Sequence, residues 1–153
     1  MQTYRICYRA RINWTRLKHA LPDEIDHSLN RIRQMNRRAG VTGALLLADE
    51  HMIQFLEGST GPVLETVYCA MSDERLYDME AIFHEPARER LFPNSLMFFR
   101  DLTGSVAASR YPQLRPLIDR PEKLTRDEGL SALHTFAGDV VQSSLTNGML
   151  MLA

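Results

Sequence analysis

Cysteine is scarce in this chain: only Cys7 and Cys69 occur among 153 residues. Their separation fits neither a zinc motif nor a disulfide framework, which excludes a metal-stapled or disulfide-rich fold. An excess of one charge is also missing. Eighteen Lys and Arg stand against nineteen Asp and Glu, a formal net charge of -1, with no basic run. Nucleic-acid binding draws much of its strength from neutralising phosphates, and no surplus of cations is present for it. No apolar run approaches the length of a membrane span, and the N-terminus lacks the apolar segment of a signal peptide, so a cytoplasmic protein is expected. His19, His27, His51, His84 and His134 show no ligand spacing, which argues against a metal. No nucleophile motif, internal repeat or low-complexity tract is found.

What is present is an ordinary globular composition, 44% hydrophobic and 24% charged. The length allows one domain with a proper core and a helical appendage. The informative stretch is Asn36 to Gly58, NRRAGVTGALLLADEHMIQFLEG. Before it, Ile25, Leu29 and Ile32 recur at helical spacing, and the next place on that stripe is Asn36. In the strand His51 to Glu57, Gln54 shares a face with Met52 and Leu56, and its neighbours Ile53 and Phe55 are apolar too. A buried amide costs about 1–3 kcal/mol unless its groups are hydrogen-bonded. One such amide is best read as part of a satisfied polar network. Two, on elements that pack together, make a planar polar ligand a competing reading.

Taken in order, Thr3 to Arg9 alternates as a first strand, with Tyr4, Ile6 and Tyr8 on one face. Ala10 to Leu21 is basic and irregular, with room for one short helical turn. Pro22-Asp23 opens the first main helix and Gly40 ends it. Val41 to Ala48 and His51 to Glu57 form a hairpin around Asp49-Glu50. A second helix follows Ser59 or Thr60 as cap and carries Val63, Leu64, Val67, Tyr68 and Met71 on one side. Asp78 to His84 is a fourth strand, Glu85 to Pro93 a polar connection with one helical turn, and Ser95 to Phe99 a fifth strand. This order predicts an α+β, ferredoxin-like sandwich: a five-stranded mixed sheet, mainly antiparallel, under two main helices. After Leu102 the character changes. Gly104 to Ile118 holds a short helix broken by Pro112 and Pro116, and Asp119 to Glu122 is a linker. Thr125 to Glu128 has the form of a capping box for an amphipathic helix through Leu130, Leu133, Ala137, Val140, Val141 and Ser144. Gly148 is placed to end it, and the apolar tail Met149 to Leu152 requires cover.

Several separated motifs resemble one family. ICYRA with Tyr8, N-R-R-A-G-V-T-G-A-L-L-L, F-L-E-G preceded by Gln54, and EPARERLFPNSLMFFRDL are similar, in this order, to BLUF domains, the flavin-binding blue-light sensors. The resemblance covers residues 3 to 102. It implies a flavin-binding domain over 1–102 and a C-terminal helical extension over 103–153 that packs on the sheet. It implies FAD as cofactor, with FMN as the variant. Tyr8 is then the tyrosine that hydrogen-bonds the switch glutamine, Gln54, and Met97 the methionine of the last strand near it. Asn36 holds the polar edge of the ring, Ile32 and Leu29 are its apolar walls, and Arg75 lies near the ribityl or phosphate end. In such domains light drives electron and proton transfer from the tyrosine to the flavin. The pair recombines, the glutamine is left rotated or tautomerised, and the absorption moves slightly to the red. Ser95 stands where many relatives carry tryptophan, Ala10 where serine is frequent, and Leu76 where histidine is often seen.

These readings carry three hypotheses. The first is a photoreceptor that is no enzyme itself, since 153 residues leave no room for a cyclase or phosphodiesterase domain. It signals through the last strand and C-terminal helices to a downstream partner protein, or through a homo-oligomer. The second is an acylphosphatase-like hydrolase on the same sandwich, disfavoured because Arg37 and Arg38 lie on a different helical face from Asn36. The third is a flavin-free regulatory or assembly module with structural amides.

Overall fold

Alternating polarity and cross-strand charge carry the first strand, β1 (Thr3–Ile12), three residues past the expected end. Arg9 reaches Glu80 at 2.8 Å and Arg11 reaches Glu50 at 2.5 Å, so the polar end of the strand is paired rather than frayed. The computed structural model describes residues 2–104 and 110–147. The chain divides into two compact units, Met1–Gly104 and Ser105–Ala153.

In the first unit, a short 3-10 turn (Trp14–Arg16) interrupts the basic stretch after β1. Helix α1 (Leu21–Ala39) opens on Pro22 and ends at Gly40, whose φ of 69° is the left-handed value that a C-cap glycine adopts cheaply. The hairpin β2 (Thr42–Ala48) and β3 (His51–Gly58) turns at Asp49 and Glu50, with Asp49 also at positive φ. Helix α2 (Thr60–Met71) leads into β4 (Leu76–Ala87), and β5 (Phe98–Asp101) closes the unit. The sheet order is β4-β1-β3-β2-β5. Each of the first four strands in this order is antiparallel to its neighbour, and β5 joins β2 in parallel. This is the expected ferredoxin-like α+β sandwich with a mixed five-stranded sheet.

One face of the sheet meets the helices. Ile6, Tyr8, Leu45, Leu56 and Met97 pack there with Leu29 of α1 and Val63 of α2. The other face carries an aromatic cluster in which Phe55 meets Phe83 and Phe92, and Phe92 stacks on Phe98. Gly43 is required where β2 crosses β3. A Cβ there would lie 1.9 Å from the Phe55 carbonyl oxygen.

Three sequence expectations need correction. Only part of the α2 stripe faces the sheet: Val63 is fully buried and Val67 packs on the core, whereas Tyr68 and Met71 are 68% and 62% exposed. Residues 63, 67 and 70 follow the four- and three-residue steps of one helical face, and Leu64, Tyr68 and Met71 sit one residue further round. The connection expected over Glu85 to Pro93 begins as strand, because β4 stays paired with β1 as far as Ala87. Pro86 is tolerated because β4 is an edge strand. The fifth strand starts at Phe98 rather than Ser95, and residues 88–97 hold one hydrogen-bonded turn, Ser95 N to the Phe92 carbonyl at 3.3 Å, but no helix. The carbonyls of residues 95–97 are taken by Gly43 and by side chains of α1 instead of a ladder.

In the second unit, a 3-10 turn (Pro112–Leu114) runs into α3 (Arg115–Asp119), and a further turn (Pro121–Lys123) occupies the expected linker. Helix α4 (Arg126–Asn147) follows. Its start is a capping box: Thr125 Oγ1 accepts from Glu128 N at 3.3 Å, and Glu128 Oε1 accepts from Thr125 N at 3.1 Å. Among its described side chains, Ala132, Leu133 and Phe136 are buried, while Leu130 is only partly covered. Val140, Val141, Ser144, Gly148 and the apolar tail lie outside the described side chains.

Candidate functional site

Strand register brings the first two site residues together. Tyr8 of β1 lies directly opposite Gln54 of β3, and Leu45 of β2 lies opposite Gln54 on its other side. All three point toward the helices. Gln54 is therefore on the central strand, 3% exposed, with a cross-strand neighbour on each flank. The Tyr8 hydroxyl donates to Gln54 Oε1. The amide nitrogen Nε2 of Gln54 faces Met97 Sδ at 4.0 Å, the outer limit of a weak sulfur acceptor. Met97 is buried and lies just before β5. Burial pushes the Tyr8 hydroxyl well above its ordinary range, with Cys7 and Asp73 adding to it, so the resting side chain is a protonated donor.

Asn36 completes the polar edge. It is wholly buried near the C-terminal end of α1, and its Nδ2 donates to the Leu96 carbonyl at 2.6 Å. Its Oδ1 is buried without a hydrogen-bond partner. A carbonyl acceptor left dry in this way costs about 1–3 kcal/mol. Asn36 and Gln54 both line a cleft of about 870 Å³ between α1 and α2. Ile25, Ile32, Leu45 and Met52 give it apolar walls. Such a volume accommodates a cofactor, and an apolar slot with few convergent polar groups is the usual form of such a site.

Ile32 lines this cleft, and Leu29 does not. Leu29 points into the core with Tyr8, Leu56 and Val63. Arg75 lines the mouth, but its guanidinium is committed to Asp73 at 2.7 Å and Glu24 at 2.9 Å. These carboxylates, Asp73 first, hold Arg75 above its ordinary range, and Arg75 in turn holds both of them low. Lys18 and Arg31 also border the mouth. Sequence reasoning missed Glu24, which ties Arg75 to the Lys18 and His19 backbone. It also missed Arg33, which chelates the Met97 carbonyl at 2.8 and 3.1 Å. A signal for Arg33 existed: it precedes Asn36 by three residues and therefore shares its helical face.

The sequence profile described as "BLUF: Sensors of blue-light using FAD" matches residues 3–98. The chain belongs to the BLUF family. Solved structures agree. The dark-state structure of BlrB, a BLUF protein, is 27% identical with a TM-score of 0.70, covering 90% of this chain and 97% of that one. BlsA in its photo-activated state shares the fold at 20% identity and a TM-score of 0.76, over 88% and 94% of the two chains. A bacterial light-regulated adenylyl cyclase matches at 22% identity and a TM-score of 0.67, over 79% of this chain and 35% of its own. The BLUF chain thus spans about a third of that cyclase. No curated protein sequence matches it. BLUF domains bind flavin, and the residues of this cleft fit one: a dry acceptor on Asn36, an exchangeable amide on Gln54 and apolar walls for a planar ring. Among the described residues, no helix is long and apolar enough to cross a membrane, and no cluster of metal ligands forms.

Proposed function

We propose that this BLUF protein is a blue-light photoreceptor whose switch is Tyr8, Gln54 and Met97 and whose cofactor is FAD. The observation that carries this reading is the buried Tyr8–Gln54 hydrogen bond beside the unpartnered Asn36 acceptor, at the wall of a cleft of cofactor size. A flavin-free module would leave that acceptor dry in the working protein, which disfavours it. Asn36 Oδ1 would hold the polar N–H edge of the ring, with Ile32, Ile25 and Met52 against its faces. When bound, the flavin supplies absorption of blue light and an excited state that takes one electron.

Tyr8 would be the electron donor, because its phenol is hydrogen-bonded to Gln54 and can release its proton along that bond. Its Oη proton leaves along the existing bond toward Gln54 Oε1. When electron and proton return to Tyr8, the amide has exchanged its donor and acceptor ends. Little packing is disturbed, since the two ends of an amide have nearly the same size. The group that faced Met97 Sδ has then changed. We infer that this alteration passes through Met97 to β5 and on to the C-terminal helices, and from there to a partner protein or a second copy of the chain. A light-regulated cyclase carrying a similar fold supports an output of this regulatory kind.

A visible spectrum of the purified protein, dark and after blue light, tests the reading. A flavin spectrum that moves slightly to the red and recovers in the dark is expected. Gln54→Leu should keep the flavin and lose the shift, and a normal shift in that variant would remove Gln54 from its role. Asn36→Ala should lower flavin occupancy. Release of the cofactor and its chromatography distinguish FAD from FMN.

A further inference from the structure

Three successive carbonyls precede β5, and all three are held. Ser95 O accepts from Gly43 N at 3.0 Å, Leu96 O from Asn36 Nδ2 at 2.6 Å, and Met97 O from Arg33 Nη2 and Nε at 2.8 and 3.1 Å. The last two matter most for the switch. Each peptide unit is a rigid plane, and the direction of a side chain is set by the two planes that meet at its Cα. The Leu96–Met97 plane is fixed by Asn36 and the Met97–Phe98 plane by Arg33. Together they fix the Cα–Cβ direction from which the Met97 side chain reaches toward the Gln54 amide, its Sδ 4.0 Å from Gln54 Nε2. The contact itself is too long and too weak to hold Met97 there by its own strength. The Arg33 fork converges two N–H groups on one oxygen, which fixes direction as well as distance, and a lysine ammonium at the end of a flexible stem does not reproduce it.

We propose that Arg33 is a positioning residue of the light switch: its chelation of the Met97 carbonyl from α1 keeps the thioether waiting for the Gln54 amide and so sets the rate of dark recovery. This rests on the photoreceptor reading above. The resting arrangement has Nε2 facing Sδ, so the return to it requires that acceptor to be in place. With the carbonyl released, Met97 samples other directions and the return slows.

The test uses the full chain loaded with FAD, as wild type, Arg33→Met and Arg33→Lys. The methionine variant keeps the apolar stem and removes the donors. It should retain flavin and its red shift but recover about threefold to tenfold more slowly, the range that one net hydrogen bond supplies. Arg33→Lys should fall between it and wild type. A second readout needs no light: the Met97 methyl resonance in 13C-methyl-methionine NMR should be displaced or broadened in Arg33→Met relative to wild type. Unchanged or faster recovery in Arg33→Met, with an unchanged Met97 resonance, overturns the proposal. If Arg33→Met does not fold, Arg33→Lys decides: recovery and resonance identical to wild type overturn it, and slower recovery with a shifted resonance upholds it. A wild type that binds flavin but shows no red shift would defeat the photoreceptor reading instead, and the methyl resonance would still judge the clamp.

Discussion

Two segments of the first unit make an instructive contrast. Residues 76–87 form β4, an edge strand with half of its residues exposed. Residues 90–97 include Leu91, Phe92 and Met97 and are much better buried. The exposed segment is the one that forms a strand. Its position comes from a backbone ladder with β1 that any extended residue supports. The buried segment has no ladder and is held mostly by single side chains. Glu57 accepts from Leu91 N at 2.8 Å and Phe92 N at 2.5 Å, Arg90 reaches Thr42 Oγ1 and the Gly40 carbonyl, and Asn36 and Arg33 take the carbonyls that follow. A ladder resists small changes because it is spread over many equal bonds. Side-chain clasps concentrate the same job in a few places, and each can be released singly. The segment next to the switch is the one held that way.

The contrast breaks most severely at Gly43, the one residue that gives the buried segment a backbone donor while passing close to β3. Gly43→Ala should destabilise the fold by at least about 3 kcal/mol, because its Cβ meets backbone rather than a movable side chain. Chemical denaturation measures this, and a loss below about 1 kcal/mol would show that β2 and β3 can part freely. Next comes Glu57, wholly buried at the end of β3. Glu57→Ala should cost about 2–4 kcal/mol by stranding two buried N–H groups, and amide exchange should quicken at Leu91 and Phe92 while β4 stays protected. Equal exchange in both segments would erase the distinction.

Two smaller effects sharpen it. The α4 capping box is another side-chain clasp, and Arg120, followed by the Thr125 backbone, holds the Glu128 carboxyl down to about 2. A lowered carboxyl contributes stability that is fully present above its unfolded value of about 4.3 and lost as pH falls through the folded value. The first turn of α4 should therefore loosen between about pH 4 and 2, read by amide exchange at Glu128, whereas a Glu128→Gln variant should show no such step. The smallest change belongs to the ladder. Arg5 and Glu85 pair at 2.7 Å between β1 and β4. Glu85→Gln should shift stability by no more than about 1 kcal/mol, since the strand does not depend on the pair.

Much of this was legible in advance. Hydrophobic period located both main helices and the hairpin, and Gly40 marked the end of α1 where its positive φ is found. Asn36 and Gln54 stood out because an amide on an apolar stripe demands a reason. Register is not carried by the residue pattern itself, and only the family resemblance put Tyr8 against Gln54. Nothing local says that Tyr8 faces Gln54, or that Leu96 and Met97 offer their carbonyls to α1, since those contacts join residues far apart in sequence. The α2 face was misjudged because Leu64, Tyr68 and Met71 are as apolar as the residues that do face the sheet. The last strand was begun too early for a related reason. Side-chain clasps leave the same apolar pattern as a ladder.

The four residues of β5 have a kinetic consequence. They join the sheet in parallel, next to β2, after the intervening chain of residues 49–97. Four edge residues with a single neighbouring strand return few bonds for closing that loop, so this strand is the least firmly held of the five. By the same reasoning it is the first to detach from the intact sheet. Its amides from Phe98 to Asp101 should exchange ahead of those of β1 and β3 even in darkness. The route proposed for the light signal would then run through the most easily loosened strand, and illumination need only tilt an opening equilibrium that already exists.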